Sequence, residues 1–161
     1  MQRPSALLAA TALVSIAAVA AALVSQHGFG MEPCPWCVLQ RLIFVAIALA
    51  CGIGLVWRAP AGRLLGAGLA LLLALSGIAA SLWQHFVAAA SQSCNLTLAD
   101  RIIVALRLDT LLADVFSPRA SCADAAVNLL GVPYVFWSLA LFALIGLVAV
   151  RVLWLEGATS D

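Results

Sequence analysis

The chain has 161 residues, of which 65% are hydrophobic and only 9% are charged. Soluble domains have about 45–50% apolar and about 25% charged residues, so this composition excludes an ordinary soluble domain and predicts a membrane protein. The formal net charge is +1, and the eight basic residues are all arginines that stand singly along the chain. Such a distribution provides no basic patch of the kind that binds nucleic acid, so we expect no nucleic-acid partner.

Four apolar segments are long enough to cross a bilayer, whose hydrocarbon core of about 30 Å needs roughly 20 helical residues. They are Ala6 to Val24, Val38 to Trp57, Leu64 to Val87 and Val132 to Leu155. The first segment also resembles a signal peptide, but its apolar stretch exceeds the usual length of about 7–15 residues, so we expect it to remain as an anchor. The sequence therefore predicts an all-α membrane protein in which residues 1–161 form one domain, a bundle of four transmembrane helices.

The arginines predict how the bundle is oriented. Arg58 and Arg63 lie in the tight turn between the second and third spans, and the terminal spans add Arg3 and Arg151. By the positive-inside rule, this side faces the cytoplasm, together with both termini. The opposite side then carries a short segment before the second span and one long loop, residues 88–131.

The long loop contains one helical pattern. Thr97 and Asp100 have the spacing of a capping box, and Leu98, Ile102 and Leu106 recur at helical intervals after Thr97. A short helix that lies on the membrane surface fits this pattern. A small packed cap over the bundle fits it equally well.

Four of the five cysteines fall on the predicted non-cytoplasmic side. Cys34 and Cys37 form a CxxC motif where the second span begins, and Cys94 and Cys122 lie in the long loop. Unpaired backbone N–H groups and the helix dipole favour a thiolate at the start of a helix, so the CxxC pair can cycle between dithiol and disulfide. Cys51 lies in the middle of a span, and we interpret it as a small buried hydrophobic residue.

Two alternatives to redox chemistry are open for the cysteines. A zinc site usually takes its ligands from two closely spaced pairs, whereas Cys94 and Cys122 are far apart in the chain, so we expect no metal. Purely structural disulfides are the other alternative. A CxxC disulfide closes too short a loop to stabilise a fold well, which favours the redox interpretation.

Arg41 follows Cys37 by one helical turn and lies on the same face of the second span. A guanidinium group just inside an apolar span is costly, so it needs an anionic partner such as a thiolate. The alternative is that the Arg41 side chain extends to the lipid headgroups, which costs little near the end of a span.

The run from Pro33 to Arg41, which reads Pro-Cys-Pro-Trp-Cys-Val-Leu-Gln-Arg, is followed by a loop with Cys94 and by Cys122-Ala123-Asp124, and the chain then leads to Pro133. The order of these motifs resembles the DsbB family of disulfide bond formation proteins over nearly the whole chain. The resemblance implies a multi-pass enzyme of the bacterial inner membrane. Such an enzyme reoxidises a periplasmic DsbA-like thioredoxin-fold protein and uses ubiquinone or menaquinone as the electron acceptor.

The resemblance also implies a role for each cysteine. Cys94 would be attacked by the reduced partner, and Cys122, released by that attack, would pass the electrons to the pair Cys34 and Cys37. Cys37 would then face the quinone, with Arg41 stabilising negative charge on the sulfur and on the ring.

Two further residues are candidates for the quinone site. Gln40 and His85 lie near the outer ends of the second and third spans, where each could hydrogen-bond a carbonyl oxygen of a ring held between helices. For both residues, an interfacial side chain with no specific role is the alternative.

The competing function is a non-enzymatic membrane subunit or a small transporter. In such a protein the cysteines would only form structural disulfides in the outer loop. Transporters usually carry paired charges inside the membrane. Here Arg41 is the only acidic or basic side chain within a predicted span apart from His85 and Arg151, which lie near the ends of their spans.

Overall fold

The computed structural model describes residues 4–57, 59–90 and 97–158. Within these ranges, four helices are long and apolar enough to cross a membrane. They are α1 (Pro4–Phe29), α2 (Pro35–Val56), α3 (Pro60–Trp83, continued by a π-helical turn at Gln84–Ala88) and α7 (Tyr134–Gly157). The predicted all-α architecture of four membrane-spanning helices is confirmed. Arg3 and Arg58, used above to orient the bundle, lie outside the described residues.

Short elements form the connection between the third and fourth spans. They are the helices α4 (Leu98–Ala105), α5 (Leu108–Leu111) and α6 (Ala113–Phe116) and a two-stranded antiparallel hairpin of β1 (Asn128–Leu129) and β2 (Val132–Pro133). Thr97 caps α4, and Asp100 bonds back to the Thr97 backbone N–H, which is the capping box expected at this position. That α4 lies on a membrane surface stays a prediction.

α2 is the central helix of the bundle. It packs against α1 on one side and α3 on the other, and α3 packs in turn against α7. Proline occupies the first turn of both α2 and α3, where its missing N–H costs no hydrogen bond and its fixed φ suits the helix. The turn between these two helices is short, so they run antiparallel as neighbours.

Glycines allow the backbones of α2 and α3 to approach closely. A Cβ atom on Gly66 would lie 2.8 Å from the carbonyl oxygen of Ala50 and 3.0 Å from the Cα atom of Gly54. Both of these are backbone atoms of α2, so they cannot rotate away as a side chain could. Close contact through small residues is a common way for helices to associate in lipid, where apolar burial gives little driving force.

An aromatic contact joins α2, α3 and α7 in the middle of the bundle. The rings of Phe44 and Phe142 stack with their centroids 4.1 Å apart. A Cβ atom on Gly77 would lie 2.6 Å from the Phe142 ring, so the space for this ring exists because α3 has no side chain there. Phe142 is fully buried as a result.

The structure adds an ion pair that the sequence analysis did not expect. Arg63 in the first turn of α3 makes two hydrogen bonds to the Glu156 carboxylate near the end of α7, one of them at 3.0 Å. Glu156 is 3% exposed. Both residues lie just outside the predicted spans, because α3 begins before Leu64 and α7 ends after Leu155. The pair joins α3 to α7 at the end of the bundle opposite the cysteines.

The contact between α2 and α3 predicts different effects for two substitutions on α3. Gly66→Ala should lower the free energy of unfolding by about 1–3 kcal/mol, because the added methyl group has no space between the two backbones. Gly68→Ala should leave it unchanged or raise it by about 0.5–1 kcal/mol, since no atom lies within 4 Å of the added methyl group and alanine favours a helix. Thermal unfolding of the purified variants in detergent measures both effects. Equal midpoints would contradict the close approach of the helices.

Candidate functional site

A backbone N–H group in the first turn of α2 hydrogen-bonds the sulfur of Cys34. Cys34 precedes Pro35 and adopts the extended conformation that a following proline favours, which makes it the residue that caps the helix. Its sulfur accepts a hydrogen bond from the backbone N–H of Cys37 at 3.2 Å. The CxxC spacing thus places one thiol over the N–H groups that have no partner within the helix.

The long loop returns to this turn and brings a third cysteine to it. The backbone N–H groups of Arg119 and Ala120 donate to the carbonyl oxygen of Pro33 at 2.9 and 3.3 Å. Cys122, which is 8% exposed, then lies beside the fully buried Cys34. Two cysteines that are distant in the sequence therefore meet at the beginning of α2.

Hydrogen bonding makes these two thiols chemically unequal. The Cys34 thiol lies within hydrogen-bonding distance of the sulfurs of Cys122 and Cys37, and this bonding together with burial raises the pKa of Cys34 far above its ordinary value. The same bond from Cys34, assisted by the backbone N–H of Trp36, lowers the pKa of Cys122 even though burial opposes the shift. Cys122 is therefore the member of this pair that more readily becomes a thiolate.

Cys37 contacts α3 and lines a cavity. The amide nitrogen of Gln84 donates a hydrogen bond to the Cys37 sulfur at 3.2 Å. The amide nitrogen of Gln40 in turn donates to the Gln84 oxygen at 2.6 Å. Both glutamine side chains are buried, so an amide chain runs through an apolar bundle and ends on a cysteine sulfur.

Arg41 is held inside the bundle by three oxygen atoms. Its guanidinium group donates to the Gln26 side chain at 2.6 Å and to the carbonyl oxygens of Val115 and Ala22 at 3.0 and 3.3 Å. Gln26 also donates to the carbonyl oxygen of Asp114. Arg41 is only 6% exposed, so its side chain does not extend to the outer surface as the alternative interpretation required.

A cavity of about 780 Å³ lies between α1, α2 and α7. Its polar lining includes Cys37, Gln40, Arg41 and Gln84, together with residues of α1, α7 and the outer loops, namely Ser25, Glu32, Asp124, Asn128, Tyr134 and Ser138. Its apolar wall includes Ala18, Ala21, Phe44, Trp137 and Leu141. Known sites for small ligands occupy about 300–1,000 Å³ and have mostly apolar walls with a few placed polar groups, so this cavity has the size and lining of a ligand site.

His85 lies apart from this cavity. Its ring packs against Phe86 and Phe136, with ring centroids 4.8 and 4.7 Å away. Gln84, one residue earlier, supplies the side chain that lines the cavity. His85 is not among the residues that line the cavity. That His85 binds a quinone therefore stays a prediction.

The two remaining cysteines are Cys94 and Cys51. Cys94 lies outside the described residues. Cys51 is fully buried within α2, as its position in the span predicted. In the described ranges, no three His, Cys, Asp or Glu side chains lie close enough to bind a metal ion together.

Sequence reasoning missed Gln26 as a functional residue and did not choose Gln84 over its neighbour. Gln26 is a polar residue near the end of an otherwise apolar helix, and it is 6% exposed. A buried amide in a membrane span needs a hydrogen-bond partner, which is the one signal that could have drawn attention to it.

Comparison with known proteins agrees with this arrangement. The family model described as "Disulfide bond formation protein DsbB" matches residues 3–152. Disulfide bond formation protein B of Polaromonas naphthalenivorans is 31% identical over 156 residues, which cover 95% of this chain and 93% of that protein. Disulfide bond formation protein B 1 of Pseudomonas aeruginosa is 32% identical over 135 residues, 81% of this chain and 82% of that protein. No solved structure matches the chain. The chain belongs to the DsbB family of membrane proteins for disulfide bond formation.

Proposed function

We propose that the protein is a thiol:quinone oxidoreductase that reoxidises a periplasmic DsbA-like dithiol protein and passes the electrons through two cysteine pairs to a membrane quinone. The observation that carries this proposal is the order of groups along one path. Cys122 contacts Cys34, Cys34 contacts Cys37, and Cys37 lines the cavity beside Arg41.

The first exchange takes electrons from the partner. A thiolate of the reduced partner attacks Cys94 in a Cys94–Cys122 disulfide, so that a mixed disulfide forms and Cys122 leaves as a thiolate. The second thiol of the partner then attacks the mixed disulfide, which releases the oxidised partner and leaves Cys94 reduced. The backbone N–H of Trp36, which helps to lower the pKa of Cys122, suits this sulfur to the leaving position, because a thiol of lower pKa leaves faster.

The second exchange moves the electrons to the CxxC pair. The Cys122 thiolate attacks Cys34 in a Cys34–Cys37 disulfide, a Cys122–Cys34 bond forms, and the electron pair of the broken bond stays on the Cys37 sulfur. Attack of Cys94 on Cys122 restores the Cys94–Cys122 disulfide and leaves Cys34 and Cys37 reduced. The contact between the Cys122 and Cys34 sulfurs favours Cys34 over Cys37 as the point of attack.

The cavity residues fit a quinone. The apolar lining suits a flat ring, and the Cys37 sulfur and the Arg41 cation both line the same space. A bound quinone would supply the acceptor for two electrons and two protons. Arg41 would stabilise negative charge at the sulfur and at a ring oxygen, since a fixed cation acts strongly where water is excluded. We propose ubiquinone as the acceptor, with menaquinone as the alternative.

The location follows from the same proposal. We place the chain in the bacterial inner membrane with both termini in the cytoplasm and both cysteine pairs in the periplasm. The arginine-rich turn between the second and third spans supports this orientation by the positive-inside rule. An oxidising compartment is also where protein disulfides persist.

The relay predicts which substitutions stop electron transfer. Cys37→Ser and Cys94→Ser should each abolish quinone reduction, because each breaks one of the two exchanges. Arg41→Ala should slow it by about 100-fold through the loss of one charged donor. The measurement follows quinone absorbance in detergent after addition of a reduced thioredoxin-fold oxidase, with ubiquinone and menaquinone analogues in separate samples.

Cys51→Ser is the matched control for this assay, since Cys51 lies apart from the cluster and should leave the rate unchanged. If no thiol partner reduces either quinone through the wild-type protein, or if Cys37→Ser retains the full rate, the proposal fails. The non-enzymatic subunit with structural disulfides would then be the better interpretation.

The inequality of Cys34 and Cys122 gives a second prediction. In the reduced protein, Cys34→Ala should move the midpoint of the pH profile for alkylation of Cys122 upwards by about one pH unit, because the donor that stabilises the Cys122 thiolate is lost. Mass spectrometry of the tryptic peptide between Arg119 and Arg151 reports the reaction, since Cys122 is the only cysteine in that peptide. Cys51→Ala serves as the control, and an unchanged midpoint in Cys34→Ala would refute the hydrogen bond.

A further inference from the structure

A side-chain donor contacts the sulfur on which the relay leaves its electron pair. Gln84 donates to the Cys37 sulfur at 3.2 Å, and the Gln84 side chain is buried. The hydrogen bonds of Arg41 go to oxygen atoms of Gln26, Ala22 and Val115. Arg41 therefore acts on the sulfur through its charge, whereas Gln84 acts through direct contact.

The orientation of the Gln84 amide is fixed by a second amide. A primary amide presents an oxygen on one side and an N–H group on the other. Gln40 donates to the Gln84 oxygen at 2.6 Å, so the Gln84 nitrogen is the atom that faces Cys37. With the opposite orientation, an oxygen would face the sulfur and would repel a thiolate.

The backbone at Gln84 is also unusual. The N–H of Ala89 bonds to the carbonyl oxygen of Gln84 at 2.9 Å, five residues back, which makes this a π-helical turn. Such turns often occur at functional sites within helices. Gln84 continues the buried face of α3 that includes Gly77 and Ser81, and His85 packs instead among phenylalanine rings.

We propose that Gln84 is a catalytic residue of the proposed relay, on which this inference rests, and that Gln40 is its positioning residue. When the Cys122 thiolate attacks Cys34, the Cys34–Cys37 bond breaks and its electron pair goes to the Cys37 sulfur. The Gln84 N–H group stabilises that thiolate without giving up a proton. Gln40 holds the Gln84 amide in the orientation that donates to the sulfur. Gln40 therefore stabilises the thiolate only through Gln84.

The test measures the thiolate of Cys37 with neither quinone nor partner protein present. Cys37 is partly exposed and lines the cavity, so a small alkylating reagent can reach it. A Cys34→Ser background makes Cys37 the only cysteine in the tryptic peptide that ends at Arg41. The alkylation rate of that peptide is followed against pH in the full-length reduced protein.

Gln84→Leu should move the midpoint of this profile upwards by about one pH unit. At any pH below the midpoint of the background protein, alkylation should then be about tenfold slower. Gln84→Glu should move it at least as far, because a carboxylate replaces the donor. Gln40→Leu should give a smaller shift in the same direction. The double variant Gln40→Leu/Gln84→Leu should match Gln84→Leu alone, because Gln40 acts only through Gln84.

Ser76→Ala is the control, since Ser76 is an exposed α3 residue whose hydroxyl donates to the Leu73 carbonyl oxygen of its own helix. Its profile should equal that of the background protein. Should Gln84→Leu fail to fold, Gln84→Glu and Gln40→Leu decide the question. An unchanged midpoint in the folded Gln84 variants, or additive shifts of the two glutamine variants, would overturn the inference.

This experiment is independent of the quinone assay. A protein that reduces quinone normally but shows no shift in the Gln84 variants keeps the proposed function and loses this inference. A shift in a protein that never reduces quinone shows the hydrogen bond and leaves the relay without support, which also removes the catalytic role of Gln84.

Discussion

The first turn of α2 has backbone N–H groups with no partner inside the helix, and the chemistry of the site depends on them. The N–H of Cys37 bonds the Cys34 sulfur, and the N–H of Trp36 bonds the Cys122 sulfur. Since the helix dipole adds positive potential at the same point, sulfur is favoured there as a thiolate. One helix terminus thus brings together a cysteine of the loop and a cysteine of the CxxC motif, and the hydrogen bond between them makes Cys122 the one that more readily carries charge.

Buried polar side chains connect this terminus to the rest of the bundle. Amides and guanidinium groups are costly in an apolar bundle unless they are hydrogen-bonded. Gln26 and Arg41 satisfy each other and also hold the backbone of the α6 region at Asp114 and Val115. The hydrogen bonds that satisfy these buried groups therefore also hold the loop against α1 and α2. Since Arg41 lines the cavity as well, the position of the loop and the shape of the cavity both depend on its guanidinium group.

The contact between α2 and α3 joins the site to the glycine-lined end of the bundle. Gln84 reaches Cys37 at one end of the contact between α2 and α3, and Gly54 and Gly66 allow the two backbones to approach closely at the other end. The Arg63–Glu156 pair and the stacked phenylalanines join α3 to the remainder of the bundle. The cavity beside Cys37 is the space that this packing leaves between α1, α2 and α7.

Apolar runs of about 20 residues determined the four spans, because lipid leaves no alternative to a helix for a single apolar segment. The CxxC motif and its proline likewise located the beginning of α2 and placed Arg41 one turn further on. Only the tertiary structure brought Cys122 to Cys34, since a loop contact across more than 80 residues has no local signal. It also chose Gln84 over His85 for the cavity, because both residues fit helical spacing from Gly77 and the packing of neighbouring helices decides which one faces inwards.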